Sequence, residues 1–361
     1  MAAQTPSMNL IPSDEEIQLR QTVAGVARAF GHDYFVARAR EGRAAEELWR
    51  AMADLGLLGV NLPAEYGGGG GTLSQLTIVM EELAAAGCPL QPLVYSQSIG
   101  GNILAKYGTE HQRDRWLRGL ATGKLKLSFA ITERGAGSNS QNLATSAKFV
   151  DGRFVVSGEK TYVSGVEGAD AILVVARTGT DPVSGKGELS LFLVDPDARG
   201  LSRQPFPIAM VAPDKQWILT FDGVEVGKDA LVGELHQGFK ALFEGLNPER
   251  ILSAALAVGI GRYALEEATA YAKTRVVWDV PIGAHQGVAH PLAEAAIKLQ
   301  AARLLMEKSA RSYDAGLPAG ELANMAKFTA GEAGLECLDA AIQAHGGNGI
   351  ALEFGLTDMW W

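Results

Sequence analysis

Apolar residues recur at helical spacing through the first third of the chain. Ser13 is a capping residue type, and three acidic residues follow it, which suits the first turn of a helix. The apolar positions after this start then repeat every three or four residues: Ile17, Val23, Val26, Ala27 and Phe30. Similar patterns over 46–58, 72–86, 99–107 and 111–120 predict that this first region is helical.

The pattern changes to that of β-strands at about residue 125. Two short apolar runs flank Asp151-Gly152, and an Asp-Gly pair favours the tight turn of a β-hairpin. Further runs of this kind cover 171–176, 189–194 and 217–221, with Gly, Pro and Asp between them. The region therefore predicts a compact β-barrel or β-sandwich.

Helical spacing returns after Gly238. Asn247 can cap a helix, Pro248 suits the first helical position and Glu249 suits the first turn, so we expect a helix to begin there. Two more helical stretches, 291–313 and 320–344, complete an antiparallel bundle. The predicted fold class is α+β with three domains: an N-terminal helical domain over 1–124, a middle β domain over 125–235 and a C-terminal helical bundle over 236–361. The abrupt apolar end at Trp360-Trp361 leads us to expect that this bundle is incomplete at its C-terminal end.

Composition narrows the class of function. The 361 residues carry a formal net charge of −9, which argues against nucleic acid or an anionic membrane as a partner. No apolar stretch is long enough to span a bilayer, and the first ten residues lack the order of a secretory signal. Cys88 and Cys337 are the two cysteines, so a reducing, cytoplasmic location is expected. His285, His290 and His345 have no metal-ligand spacing, and no metal site is predicted.

Two glycine-rich segments carry the clearest chemical signal. The first is AITERGAGSN over 130–139, and the second is GEKTYVSG over 158–165. Glycines remove the Cβ atoms that would keep backbone N–H groups away from an anionic or planar ligand. These segments resemble the two flavin-contacting segments of the acyl-CoA dehydrogenase family, which read roughly T-E-x-x-A-G-S-D and G-x-K-x-W-I-T/S-N-G.

Three other motifs occur in the family's order. PAEYGG over 63–68 is similar to the family's P-x-E-Y-G-G loop. RVVWDVPI over 275–282, followed by Gln286, resembles R-x-x-F-G-x-P-I with its Gln. QAHGGNG over 343–349 resembles Q-x-x-G-G-x-G. The resemblance covers nearly the whole chain and implies the family's fold, in which helical and β domains precede a C-terminal four-helix bundle.

The resemblance also implies a cofactor, a substrate and partners. It implies FAD held between subunits of a homotetramer or a mixed tetramer, an acyl-CoA substrate, and an electron-transfer flavoprotein as electron acceptor. The residues implied for FAD are Phe129, Ile131, Thr132, Gly137, Ser138, Tyr162, Ser164, Arg275, Trp278, Gln286, Gln343, Gly346 and Gly347, those from Arg275 onwards reaching the FAD of a neighbouring subunit. Ser138 and Arg250 are implied for the substrate. Two positions depart from the family pattern: Asn139 replaces Asp, and Tyr162 replaces the usual Trp.

The family's reaction needs a carboxylate base. A Glu removes a proton from the α-carbon of the thioester while hydride leaves the β-carbon for flavin N5, which gives the trans-2-enoyl-CoA. In most members this Glu lies beyond the glycine motif, at a position that would fall after Trp361. Long-chain and isovaleryl-type members instead carry it in a Glu-Arg pair early in the first long helix of the last domain. Glu249-Arg250 resembles that pair, and our hypothesis is that Glu249 is the base. We expect the helix N-terminus to lower the pKa of Glu249 and desolvation by the acyl chain to raise it.

Simpler interpretations stay open at this point. Glu249 could be a solvated acidic residue of a first helical turn, Arg275 a surface charge, and Gly346-Gly347 a helix end. A flavin oxidase or monooxygenase could use the same fold. A non-catalytic partner subunit of a mixed tetramer could bind FAD or CoA without a base.

Overall fold

A computed structural model describes residues 10–360 of the chain. The α-helices are α1 (Asp14–Arg40), α2 (Glu46–Asp54), α3 (Leu73–Ala85), α4 (Asn102–Tyr107), α5 (Glu110–Ala121), α6 (Gly238–Thr274), α7 (Gln286–Asp314) and α8 (Gly320–His345), and a π-helix covers Leu93–Gly101. Short 3-10 turns connect several of these elements. No helix in the described residues is long and apolar enough to cross a bilayer.

Side-chain caps explain where several helices begin. Ser13 accepts a hydrogen bond from the backbone N–H of Glu16, whose carboxylate accepts one from the backbone N–H of Ser13. Thr72 and Thr109 form the same reciprocal arrangement at the starts of α3 and α5. Each box satisfies two N–H groups that the first turn leaves without helical partners. The capping prediction for Ser13 is confirmed.

The predicted helix start at Asn247 is wrong. Helix α6 begins at Gly238 and runs through Pro248 in its interior. A proline there removes one helical hydrogen bond, but α6 is buried along its length against α3 and α8, and this packing keeps the helix continuous. Glu249 therefore lies about 16 Å beyond the N-terminus of α6, at 1.5 Å per residue. The expectation that the helix N-terminus lowers its pKa fails for the same reason, because that effect is confined to the first turn.

The middle region forms one mixed sheet of eight strands: β1 (Leu127–Ala130), β2 (Ser146–Val150), β3 (Arg153–Ser164), β4 (Ala171–Thr180), β5 (Gly187–Val194), β6 (Leu201–Pro205), β7 (Gln216–Val226) and β8 (Leu231–Val232). The strand order is β6-β7-β3-β2-β4-β5-β8, and β1 pairs in parallel with β4. The predicted hairpin is present: β2 and β3 pair antiparallel, and Asp151 and Gly152 have φ of 48° and 86°, the left-handed values of a primed turn. A small hairpin of β9 (Val276–Val277) and β10 (Val280–Pro281) precedes α7.

Strand β4 is buried on both faces and separates two apolar clusters. Leu173 and Val175 face a cluster that includes residues of α4, α5 and the start of α6. Ile172 and Val174 face the opposite cluster, where the sheet encloses side chains of β3, β5 and β7. The near-continuous apolar sequence of β4 follows from this double burial.

The first and last helical regions share one core. Helices α1 to α3 pack with α6 to α8 in a single cluster that includes Phe35, Leu76, Val258 and Cys337. Gly259 of α6 lies so close to α3 that an added Cβ would be 2.4 Å from the Cβ of Ala84. Small residues thus let the two regions approach closely. In the described part of 236–361 there are three long helices, α6, α7 and α8.

Candidate functional site

A cavity of about 670 Å³ opens where the sheet meets α6 and α8. One wall comes from β1 and the two glycine-rich segments: Phe129 belongs to β1, Ile131 and Thr132 to the first segment, and Tyr162 and Ser164 to the second. Another wall is α6, with Glu249, Ser253 and Leu256, and α8 adds Lys327 and Glu332. Six of the predicted site residues, five for the cofactor and the predicted base, therefore line one cavity.

A β-bulge turns Tyr162 into this cavity. The alternation of β3 places Phe154, Val156 and Lys160 on the buried face, so Tyr162 would be expected there too. The register between β3 and β7 shifts between Lys160 and Val163, and Tyr162 has φ of 55°, in the left-handed region that large residues rarely adopt. Tyr162 is consequently 58% exposed, and its ring meets Phe206 edge-on at 4.8 Å.

Ser164 is held from two sides. Its backbone carbonyl accepts a hydrogen bond from the hydroxyl of Ser128 at 2.7 Å, and its Oγ accepts one from Gln216 Nε2 at 2.7 Å. Thr161 N–H donates to the carbonyl oxygen of Thr132 at 2.9 Å, which joins the two glycine-rich segments directly. These bonds within the chain tie the two segments of the wall to each other and to β1 and β7.

Glu249 is a partly buried carboxylate that lines the cavity. Burial raises its pKa above the ordinary value for glutamate, and this outweighs the hydrogen bond from Ser253 and the charges of Arg250 and Lys327. Ser253 Oγ donates to Glu249 Oε1 at 3.0 Å. A carboxylate with a raised pKa is a better proton acceptor than a solvated one, and this favours the role of base over a surface residue.

Arg250 does not line the cavity. Its Nη1 donates to Asn247 Oδ1 at 3.1 Å, and its guanidinium lies 5.8 Å from the centre of the Phe243 ring. Gly137 and Ser138 lie on the exposed loop between Glu133 and Ala144, beside the cavity wall and outside its lining.

The remaining predicted residues lie at the far end of the bundle. Arg275 and Trp278 belong to the exposed hairpin segment after α6, and Gln286 is the exposed first residue of α7. Gln343 lies exposed in the last turn of α8, and Gly346 and Gly347 follow its end. The two groups are neighbours, because the His345 ring stacks on Tyr271 at 4.2 Å and Asn348 Nδ2 donates to Tyr271 Oη at 3.1 Å. Glu249 and Arg275 are separated by about 39 Å of helix, at 1.5 Å per residue. Within one chain these predicted residues therefore lie apart from the cavity.

The hairpin presents Trp278 to solvent. Trp278 is 82% exposed, and Trp278 and Asp279 have φ of 51° and 66° at the centre of the turn. Left-handed backbone at residues other than glycine costs of order 1 kcal/mol each, and such strain is common where a side chain is held for binding.

Several lining residues were not predicted. Gln91, Tyr95 and Met210 enter the cavity from the segment around the π-helix and from the loop before β7. Tyr95 Oη donates to Asp214 Oδ1 at 3.0 Å, across 119 residues of sequence. No local pattern reports such a contact. Within residues 10–360, no group of three or more His, Cys, Asp or Glu side chains is placed to hold a metal ion.

Comparisons with known proteins give one family over nearly the whole chain. The family models of the N-terminal, middle and C-terminal domains of acyl-CoA dehydrogenases match residues 13–124, 128–222 and 236–361, respectively. The acyl-CoA dehydrogenase FadE12 of Mycobacterium tuberculosis is 46% identical over 353 residues, which is 97% of this chain and 91% of that protein. The CarC subunit of the caffeyl-CoA reductase-Etf complex of Acetobacterium woodii is 33% identical over 322 residues, 88% of this chain and 84% of that subunit.

The fold has a close counterpart among solved structures. Butyryl-CoA dehydrogenase from Megasphaera elsdenii superposes with a TM-score of 0.90 at 26% identity, over 98% of this chain and 93% of that one.

Proposed function

Because this chain belongs to the acyl-CoA dehydrogenase family of flavoprotein oxidoreductases, we propose that it oxidises an acyl-CoA thioester to the trans-2-enoyl-CoA. One observation carries the proposal: Glu249 lines the same cavity as the five predicted cofactor residues from β1 and the two glycine-rich segments. A base and a flavin-facing wall on one cavity are the two parts that this reaction requires.

The cavity wall suits FAD. Tyr162 offers an exposed aromatic ring, Thr132 and Ser164 offer hydroxyl groups, and Phe129 and Ile131 are apolar. The adjoining loop has room at Gly137, where a Cβ atom would have no neighbour within 4 Å. When bound, FAD supplies the acceptor for the hydride that leaves the β-carbon. An apolar wall with a few fixed polar groups is typical of cofactor pockets.

Glu249 acts as the general base at the α-carbon. Desolvation keeps its pKa above the ordinary value, and Ser253 holds one of its oxygens. Filling the cavity with an acyl chain removes more water and strengthens the carboxylate as a base. The apolar side chains Leu246, Leu256 and Ile260 on the same face of α6 suit the acyl chain.

The predicted cofactor residues at the far end of the bundle bind the FAD of a neighbouring copy of the chain. Arg275 follows the end of α6, about 39 Å along the helix from Glu249, and Trp278 lies on the adjoining hairpin, so they reach the FAD of a partner subunit in a homotetramer or mixed tetramer. Exposed apolar side chains on α7 and α8, among them Ile297 and Phe328, support association through these helices. Sedimentation of the purified chain measures the assembly directly.

An electron-transfer flavoprotein accepts the electrons in this proposal. The A. woodii relative belongs to a complex with such a protein, which supports this acceptor by similarity. Reduction of an electron-transfer flavoprotein by the chain and an acyl-CoA tests the assignment. Peroxide formed in step with turnover in air would instead indicate an oxidase.

Substrate bleaching of the flavin under anaerobic conditions tests the reaction and the base. Glu249→Gln should keep bound yellow FAD and lose the bleaching rate by about 10²- to 10⁴-fold, the usual contribution of a general base. Glu332→Gln is the matched control, because Glu332 is another carboxylate on the same cavity. Rapid bleaching in Glu249→Gln would refute Glu249 as the base. Loss of bleaching in Glu332→Gln would assign that role to Glu332. If the wild-type chain binds FAD but none of the acyl-CoA thioesters bleaches it, the result would support a non-catalytic subunit.

A further inference from the structure

An ion pair between a fully buried lysine and a largely buried glutamate lies behind the cavity wall and takes no part in the proposed reaction. Lys160 has no solvent exposure, and its Nζ donates to Glu133 Oε1 at 2.8 Å. The same Nζ donates to the backbone carbonyl of Ile131 at 2.9 Å. Lys160 belongs to the second glycine-rich segment and Ile131 and Glu133 to the first, so one side chain joins both.

Glu133 extends this connection to a third segment. Its Oε2 accepts the backbone N–H of Ala144 at 2.7 Å, and its Oε1 accepts that of Thr145 at 3.0 Å. Glu133 N–H also bonds the carbonyl of Ala136. One carboxylate thus closes the loop 134–143, which carries Gly137 and Ser138.

The Lys160–Glu133 pair contributes little net stability for the desolvation that it requires. Burial lowers the pKa of Lys160 to about 8 against the raising effect of Glu133. Desolvation also works against the ionised form of Glu133, but hydrogen bonds from Lys160 and the backbone outweigh it and leave the pKa of Glu133 below its ordinary value. A buried ion pair commonly contributes less stability than apolar side chains of similar size. Its geometry, which joins three segments at one point, offers a reason for its presence.

Resting on the function proposed above, we propose that Lys160, together with Glu133, is a positioning residue for the flavin site. It holds Ile131 and Thr132 of the first segment against Thr161 to Ser164 of the second, and it closes the loop that carries Gly137 and Ser138. The wall is thereby set to its binding geometry before the cofactor arrives, which lowers the ordering cost of binding.

A comparison of single and double variants separates positioning from general stability. Lys160→Met leaves a buried carboxylate without its partner, and Glu133→Gln leaves a buried ammonium, so both should lower Tm. The double variant removes both charges and should recover Tm. If Lys160 positions the wall, the double variant still lacks the bond to Ile131, and its Kd for FAD should stay at least about tenfold above wild type.

The exposed pair Arg134–Glu159 supplies the control. It joins the same two segments at 3.0 Å, with Arg134 71% exposed, and exposed pairs contribute little. Arg134→Met should leave Tm and the Kd for FAD close to wild type.

Amide hydrogen exchange without FAD provides a readout that does not depend on the proposed reaction. The N–H of Thr161 and of Thr145 should exchange faster in Lys160→Met and in the double variant than in wild type. FAD affinity that recovers together with Tm in the double variant, or unchanged exchange at these amides, would overturn the positioning role. A wild-type chain without FAD affinity would instead refute the proposed function, and the exchange measurement would still decide the positioning of the wall.

Discussion

Asp214 should make the stability of this protein depend on pH in an unusual direction. Its carboxyl accepts a hydrogen bond from Tyr95, a residue of the cavity wall, at 3.0 Å. Burial raises the pKa of Asp214 from 3.8 to about 6, with Glu167 and Glu46 adding to the rise while Tyr95 and Lys126 oppose it. The folded protein therefore favours the protonated form of this side chain.

The sign and size of the effect follow by linkage. Well below pH 3.8 the group is protonated in both the folded and the unfolded chain, and its raised pKa has no effect on stability. As pH rises from about 3.8 to about 6, the unfolded chain ionises at this group while the folded chain keeps its proton, so the folded state loses stability relative to the unfolded one. At 1.4 kcal/mol per pKa unit, the full penalty at pH 7 and above is at most ~3 kcal/mol. Asp214→Asn keeps an acceptor for Tyr95 and cannot ionise, so it should be more stable than wild type by up to this amount at neutral pH.

Urea unfolding between pH 4 and pH 8 measures the difference between the two proteins. The advantage of Asp214→Asn should be small at pH 4, grow mainly between pH 4 and pH 6, and level off by about pH 7. Asp222→Asn, on an exposed part of strand β7, is the control for the amide substitution itself. A difference that stays constant across this range, or a variant less stable than wild type at pH 8, would refute the reasoning.

Two further changes test the packing of the helices and the exposed hairpin. Gly259→Ala should destabilise by about 1–3 kcal/mol in urea unfolding, because the new methyl group would lie 2.4 Å from the Cβ of Ala84 and 2.5 Å from the Glu81 carbonyl oxygen. Gly25→Ala, on α1 with nothing within 4 Å, should instead stabilise by up to about 1 kcal/mol, and equal effects at the two sites would contradict the close approach of α6 to α3. Trp278→Ala should change stability by less than about 0.5 kcal/mol, because the side chain is exposed. The same variant should raise the Kd for FAD, and unchanged flavin fluorescence titrations would remove Trp278 from the site.

Local sequence signals predicted local structure well. Ser13 caps α1 because its hydroxyl and the Glu16 carboxylate satisfy neighbouring N–H groups, and Asp151-Gly152 makes the β2–β3 turn because these residues tolerate left-handed backbone. The same kind of signal failed at Pro248. A helix start there is locally favourable, but burial of α6 along its whole length outweighs one lost hydrogen bond.

Strand alternation predicts the burial of Lys160 correctly but gives the wrong direction for Tyr162. The period of two places Lys160 on the buried face of β3 together with Phe154 and Val156, so the sequence contained a signal for a buried lysine. The bulge that turns Tyr162 outward breaks this period. Its position depends on the pairing of β3 with β7, and no property of the segment itself reports it.

The sequence alone determined the order of helical and β regions and the family, and it predicted a set of cofactor residues, because each depends on short motifs and on the periodicity of burial. Only the tertiary structure decided which of these residues meet. Phe129, Tyr162 and Glu249 share a cavity because α6 packs across the end of the sheet, and Tyr95 meets Asp214 only in the folded chain. The environment of Glu249 was also decided at that level, because the pKa of a carboxylate depends on the burial and charges around it, which elements distant in sequence provide.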